Sequence, residues 1–469
     1  MTVDLSKKVK ISLMIFALVS AVCFTLLVLP ENAGISVSLF VIIQFVYMWF
    51  LVENKKRLLF MIPIFVMALN CAVSASAVWK TSNLVVCGLM YGCMFVNFDF
   101  KKDSLSFFGE VIEKTFSPFG RFELPATWIL ELNSENAPVI KRVAIALAIA
   151  IPCVAVLMLV LVSADMVFYV KTNDFFSNIF QNINLVSVFK ILCGITAGLF
   201  VFGIVYNSYD KSEPHINCRA HKGDALIINI LLFVVLVVYT LFVIVQFKYL
   251  FAGSALPDGL SYTEYARKGF FELLWLTGIN LAVILAVIKL TRHCEGKTLL
   301  ATKLLCHYLC AVTVVLLVSS FYRMLLYTWD DGFTRLRFFV MGFLIFEAIG
   351  LLITFVYIAK PMFNIALIYG TIAVVYYTLL NLVPSDNIIA KNQIDIYLRG
   401  GRDGLHYVFT LSADAAPAME YLYNNTDDEL IKNAVKQFLE EKTYSEIPER
   451  WQRYNFSVKN AEDIYEKIK

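Results

Sequence analysis

Long charge-free apolar stretches alternate along this chain with short polar connectors. A helix that crosses a bilayer needs about 20 mostly apolar residues. Eleven stretches approach or meet that length: 11–29, 34–52, 58–78, 83–98, 143–163, 186–207, 224–246, 270–289, 303–323, 335–357 and 362–381. The fourth is short and the last runs into polar residues. Bilayer hydrocarbon offers no water to unpaired backbone groups, so each stretch is expected to be a helix. In the connector 103–116, Leu105, Phe108, Ile112 and Phe116 recur at helical spacing, and in 168–183 Phe168, Phe175, Phe176, Ile179, Phe180 and Ile183 do the same. Such a stripe suits a helix lying in the membrane interface, or one packed against other helices. After Asn381 the pattern turns polar and reads as a small helical domain. There Thr426 and Glu429 form a capping-box pattern ahead of Leu430, Ile431, Val435 and Leu439. The expected organisation is an N-terminal membrane region (1–142), a second membrane region (143–381) and a polar C-terminal domain (382–469). The fold class is all-α: a polytopic transmembrane bundle of about eleven spans with a small helical extracytoplasmic C-terminal domain.

Composition agrees with this pattern. The 469 residues are 59% hydrophobic and 16% charged, with a mean hydropathy of +0.70, against about 45–50% and about 25% in soluble domains. A net charge of +3 without a basic run or stacking motif argues against nucleic acid as a partner. Eight of the ten cysteines lie in apolar stretches, which implies small buried hydrophobes; no disulfide framework, metal site or cofactor is expected. The first apolar run is too long for a signal-peptide core and no A-x-A site follows it, so it reads as a retained first span. With the N-terminus in the cytoplasm, twenty Lys and Arg residues fall on the inner side and nine on the outer, as the positive-inside rule requires. An odd number of spans then sends the tail to the extracytoplasmic face of the cell membrane.

Polar residues deep in apolar stretches need a reason. Gln44, Asn70, Asn280 and Glu347 sit near the centres of theirs. One reading is a midplane proton or cation site; the other is interhelical hydrogen bonding, worth about 0.6 kcal/mol on average where measured. A second group gathers at the outer boundary: Arg323, Tyr327, Asp331, Arg335 and Arg337 between the ninth and tenth stretches, with Asp165, Tyr265 and Arg267 at the outer ends of others. Arginines there suit a phosphate or carboxylate, or else they pair with the aspartates and pin the hairpins. The triplet His215, Cys218 and His221 makes a poor metal site without a fourth ligand, and Lys190 can snorkel outward. No P-loop, G-x-S-x-G, H-E-x-x-H or dinucleotide fingerprint is present.

Four segments carry a resemblance. They are Ser163-Ala164-Asp165 with Val167-Phe168, LPDGLSYTEYARKGFFEL (256–273), RMLLYTWDDGFTRLR (323–337), and DNIIAKNQIDIYL (386–398) followed by LSADAAPAM (411–419). Together they resemble a bacterial membrane family catalogued as domain of unknown function 4173, related to the family numbered 4153; Phe333 stands where Leu is more usual. The resemblance implies a multispanning membrane protein and supplies no reaction. On the parity count all four segments meet the outer face. The leading expectation is a non-enzymatic membrane protein that recognises a small solute, ion or lipid headgroup there. The alternatives are a membrane enzyme acting on a lipid-linked envelope substrate, and a sensor or assembly subunit that binds an envelope protein through its C-terminal domain.

Overall fold

The computed structural model of the chain describes residues 5–30, 33–131, 150, 157, 185–209, 223–246, 270–400, 404–443 and 451–469. Among them every regular element is a helix. Ten of the eleven expected segments fall on helices, and the fifth, 143–163, lies outside the described residues but for two positions. Among the described residues seven helices are long and apolar enough to cross a membrane, and an eighth candidate is a pair bent by 60°. The protein is a polytopic helical membrane protein. The chain divides into two compact units, one formed by 1–97, 110–216 and 445–459, the other by 98–109, 217–444 and 460–469.

In the first unit, α1 (Lys7–Cys23, extended by a π-helical turn to Val28), α2 (Ile35–Leu51), α3 (Met61–Val73) and α4 (Ala77–Cys93) run up and down. They are followed by α5 (Ser104–Phe116, whose first half belongs to the other unit), α6 (Leu124–Glu131) and α7 (Leu185–Tyr209). Lipid gives no hydrophobic drive between helices, so close packing and interhelical hydrogen bonds hold them. Gly194 and Gly198 of α7 meet α1 at Ala17, Ala21 and Thr25, so closely that a Cβ on Gly198 would stand 2.5 Å from the Ala17 carbonyl oxygen. Gly203 abuts Pro118 in the same way. Polar pairs cross-link the other helices: Gln44 donates to Ser20 at 3.1 Å, Ser38 donates to the Ala68 carbonyl, and Asn83 donates to the Met67 carbonyl and Asn70 Oδ1. At the end that carries Lys55 and Lys56, Arg57 donates to the Val96 carbonyl and Asn97 Oδ1 beyond the last turn of α4. At the opposite end, the segment around 451–457 binds the start of α2 and the end of α3.

The second unit contains α8 (Ala225–Gln246), α9 (Phe270–Thr291), α10 (Gly296–Asp331), α11 (Arg335–Ala359) and α12 (Ile365–Leu380). Leu232, Ile284, Cys306, Leu309, Leu344 and Ile358 are central to its apolar core. Side-chain bonds fix the register: Asn229 of α8 with Thr298 and Thr302 of the parallel α10, and, between antiparallel neighbours, Tyr239 with Asn280 and Tyr369 with the Gly350 carbonyl. Lys289, Arg292, Lys297, Lys303 and Lys360 therefore gather at one end. There Asp103 pairs with Lys289, and with Arg292 at 3.6 Å. Burial of Asp103 disfavours its charge, but Lys289 and the Ser106 and Leu105 N–H groups outweigh this and hold its pKa below the ordinary value. The tail follows as α13 (Ser385–Leu398), the short α14 (Leu405–Val408), α15 (Ala416–Asn425), α16 (Glu429–Thr443) and α17 (Phe456–Ile468), the last beginning in the first unit.

Two local expectations are refined. The expected stripe of α5 faces outward, with Leu105, Phe108, Ile112 and Phe116 exposed while Phe107 and Glu110 are buried; the matching stripe at 168–183 lies outside the described residues. Helix α16 starts later than the capping-box pattern implies. Asp428 caps it by accepting from the Leu430 N–H, and Thr426, two residues earlier, accepts from the Asp428 N–H. Leu430 is exposed, and Val435, Phe438 and Leu439 carry the buried face.

Because the α1–α7 approach leaves no room for a side chain, Gly198→Leu is expected to lower stability by about 1–3 kcal/mol through overpacking. Gly88→Leu, at a position with open space around it, should be near neutral in the same thermal-unfolding measurement in detergent.

Candidate functional site

The connection between α10 and α11 is three residues long. Gly332 adopts φ +73°, a left-handed conformation that other residues take only with strain. Thr334 then caps α11 by accepting from the Arg337 N–H at 3.4 Å. So tight a turn leaves backbone groups without helical partners, and the tail satisfies them. Gln393 of α13 donates to the carbonyls of Asp331 and Phe333 at 3.0 and 2.8 Å. Asn392 accepts from the Phe333 N–H at 2.9 Å, and Tyr407 accepts from the Arg335 N–H at 2.8 Å.

The charged centre is a fork. Arg335 Nε and Nη2 donate to the two carboxylate oxygens of Asp386 at 2.9 and 2.5 Å. The Ser412 N–H and hydroxyl add bonds of 3.1 and 2.6 Å to Asp386 Oδ2. Asp386 stands in the first turn of α13, where the helix dipole favours a negative charge, and it is 1% exposed. Burial pushes its pKa up, but the bonds from Arg335 and Ser412 outweigh that and leave it below the ordinary carboxylate value. Arg337 lies with its guanidinium carbon 3.6 Å from the centre of the Tyr327 ring. It also donates to the Gly332 carbonyl at 2.6 Å and approaches Asp331 at 3.4 Å.

The expected outer group is therefore brought together in part. Tyr327, Asp331, Arg335 and Arg337 meet at one end of the second unit. Arg323 is buried two turns below on α10, and Asp165, Tyr265 and Arg267 lie outside the described residues, as do His215, Cys218 and His221. Asp386, Asn392, Gln393, Tyr407 and Ser412 complete the arrangement. Three of these, Asp386, Asn392 and Gln393, sit in the quoted segment 386–398, and Ser412 sits in 411–419, but nothing in the spacing of either assigns them to Arg335. Chemically the fork is closed on itself. Both oxygens of Asp386 are engaged, and Arg335 has already spent its paired donors on a carboxylate.

The four midplane residues separate between the units, Gln44 and Asn70 in the first, Asn280 and Glu347 in the second. Gln44 bonds Ser20 and Asn70 bonds Asn83. Asn280 accepts from Tyr239 at 2.7 Å and donates to Thr313 at 3.1 Å. Glu347 is 6% exposed, interacts with Thr277 of α9, and its Oε2 has no hydrogen-bond partner among the described residues.

Apolar helices that need a bilayer and a polar tail bonded to their connecting loop define a multi-pass membrane protein. The sequence model of domain of unknown function 4153 matches residues 18–422. The chain belongs to that family, the relative of the one its motifs resemble. No curated protein and no solved structure matches the chain.

Asp386→Asn is expected to weaken tail docking by about 3 kcal/mol, because it leaves Arg335 half-buried without its charge partner. In the wild type the carboxylate contribution is complete above a pH of about 4 and is lost as the pH falls through the lower pKa of Asp386 in the folded chain. Limited proteolysis across that acid range should show progressive release of the tail in the wild type, and release at all pH values in the variant.

Proposed function

We propose that this protein is a multi-pass membrane protein that works through its C-terminal helical domain on the extracytoplasmic face, as a sensor or assembly subunit for an envelope protein. The observation that carries the reading is the Arg335–Asp386–Ser412 fork. It ties the tail to the α10–α11 turn and occupies the arginine that a headgroup or solute would otherwise use. A lipid-handling enzyme or an open anion receptor would need those donors free; a domain that reports binding to the membrane helices needs them closed, since coupling travels through rigid contacts. The placement outside rests on charge. In the second unit the fork sits at the helix ends opposite Lys289, Arg292, Lys297, Lys303 and Lys360. In the first, 451–457 sits at the ends opposite Lys55, Lys56 and Arg57. Lys and Arg excess marks the cytoplasmic side.

Cysteine placed at Leu430, which is 79% exposed, is expected to react with a membrane-impermeant thiol reagent in intact cells, and cysteine at Lys56 only after permeabilisation. The reverse pattern would place the domain in the cytosol and end this reading. A photo-crosslinker at Leu430 is expected to yield a discrete adduct that Asp386→Asn abolishes.

A second reading rests on Glu347. A buried carboxyl with one unpartnered oxygen, in the middle of a span, is the type of group that carries a proton or cation across a membrane. Glu347→Gln keeps shape and removes the proton site. In proteoliposomes the wild type would then show proton flux that the variant lacks, and equal flux in both would exclude Glu347.

A further inference from the structure

In the first unit, residues 451–457 form a strap across the ends of two spans. The Gly34 N–H donates to the Gln452 carbonyl at 2.9 Å and the Ile35 N–H to the Tyr454 carbonyl at 3.1 Å. Ser36 adds a hydroxyl bond to the Gln452 carbonyl. Across the strap, Asn455 donates to the carbonyls of Cys71 and Ser74 at 3.1 and 2.9 Å, and Ser457 to that of Val73 at 2.7 Å. The strap thus closes the first N–H groups of α2 and the last carbonyls of α3, groups that have no partner within their own helices. It fits so closely that a Cβ on Gly34 would stand 2.2 Å from the Tyr454 carbonyl oxygen.

These bonds set its depth. The ends of apolar spans lie where hydrocarbon gives way to headgroups, so a segment bonded to them lies in that layer too. Its free side chains match the layer. Trp451, Tyr454 and Phe456 are 56%, 44% and 52% exposed; Trp and Tyr gather at membrane interfaces because the ring favours the apolar side and the polar edge the wet side, and Phe456 adds a purely apolar ring beside them. Between them stands Arg453, half-buried, whose Nε and Nη1 are buried and have no hydrogen-bond partner among the described residues. Leaving a guanidinium partly desolvated with N–H groups unbonded is costly, and a phosphate that reaches the exposed part of the side chain supplies an anionic partner that the described residues do not.

We propose that the strap is a lipid-binding element: Trp451, Tyr454 and Phe456 enter the headgroup layer, and Arg453 takes the phosphate of one glycerophospholipid. This goes beyond the role proposed for the C-terminal domain and does not depend on it, since the strap belongs to the first unit and the fork to the second.

The test uses the full-length chain. Native mass spectrometry from detergent containing phosphatidylglycerol should show one phospholipid retained by the wild type. Its affinity should fall about tenfold or more in Arg453→Gln, the loss expected for charge-assisted hydrogen bonds, and less in Arg453→Lys. Equal retention in wild type and Arg453→Gln overturns the phosphate contact. Excess inorganic phosphate should leave the lipid bound; its displacement would assign the site to a soluble anion and overturn the lipid reading. Should Arg453→Gln fail to fold, the tryptophan measurement still decides. In nanodiscs, the fluorescence lost in Trp451→Phe should be quenched by lipids brominated near the headgroup end of their chains. Quenching of that component by aqueous acrylamide alone would place the strap in water and refute the proposal.

Discussion

A carboxylate that is 1% exposed must be met by charge and hydrogen bonds on every side, and the way Asp386 is met determines how the membrane bundle of the second unit ends. Its two oxygens hold Arg335 at the first turn of α11, and its Oδ2 holds Ser412 on the loop that leads into α15. One side chain thereby joins a membrane span, the first turn of the tail and a turn in its middle. Gln393, two turns further along the same face of α13, closes the carbonyls of the Gly332 turn. The same amide lies 2.0 Å from where a Cβ on Gly404 would be and 2.5 Å from one on Gly332. The turn, the tail and the two glycines form one fitted joint.

The strap shows the same economy in the first unit. Helix ends that emerge from hydrocarbon expose donors and acceptors where water is scarce. Loops in many helical bundles are too short to satisfy them. Here a distant part of the chain, more than 370 residues along, satisfies α2 and α3. In both units the tail is therefore part of how membrane helices terminate, not an appendage beyond them. Removing it would leave backbone groups of the Gly332 turn and of the α2 and α3 ends without partners.

Inside the spans, polar side chains follow a different logic. Gln44, Asn70 and Asn280 each find a hydroxyl or amide on a neighbouring helix, the modest cross-links expected where lipid competes weakly for hydrogen bonds. Serines and threonines such as Thr240, Thr313 and Ser320 return their hydroxyls to carbonyls one turn back. Glu347 stands apart because its second oxygen is bonded to nothing among the described residues, which is why a midplane proton role attaches to it and not to the amides.

Much of this was present in the amino-acid sequence. Apolar length dictates a helix wherever lipid is the solvent, because no other backbone form closes its own hydrogen bonds there, and the described segments are helical as that rule requires. The stripe of α5 was legible from Leu105, Phe108, Ile112 and Phe116 because periodicity at 3.6 residues is a local property, but that it faces outward and not into the packing was decided by the tertiary structure. The partners of Arg335 were not legible. Asp331 is four residues away in sequence and Asp386 is fifty-one, yet geometry selects Asp386, because only α13 presents a carboxylate to both nitrogens of the fork. Likewise nothing in the spacing of Trp451, Arg453 and Asn455 shows that they close α2 and α3. Solvent preference is written residue by residue, and hydropathy reads it directly. Which distant group satisfies a given donor depends on how helices pack, and that is decided only when the tertiary structure forms.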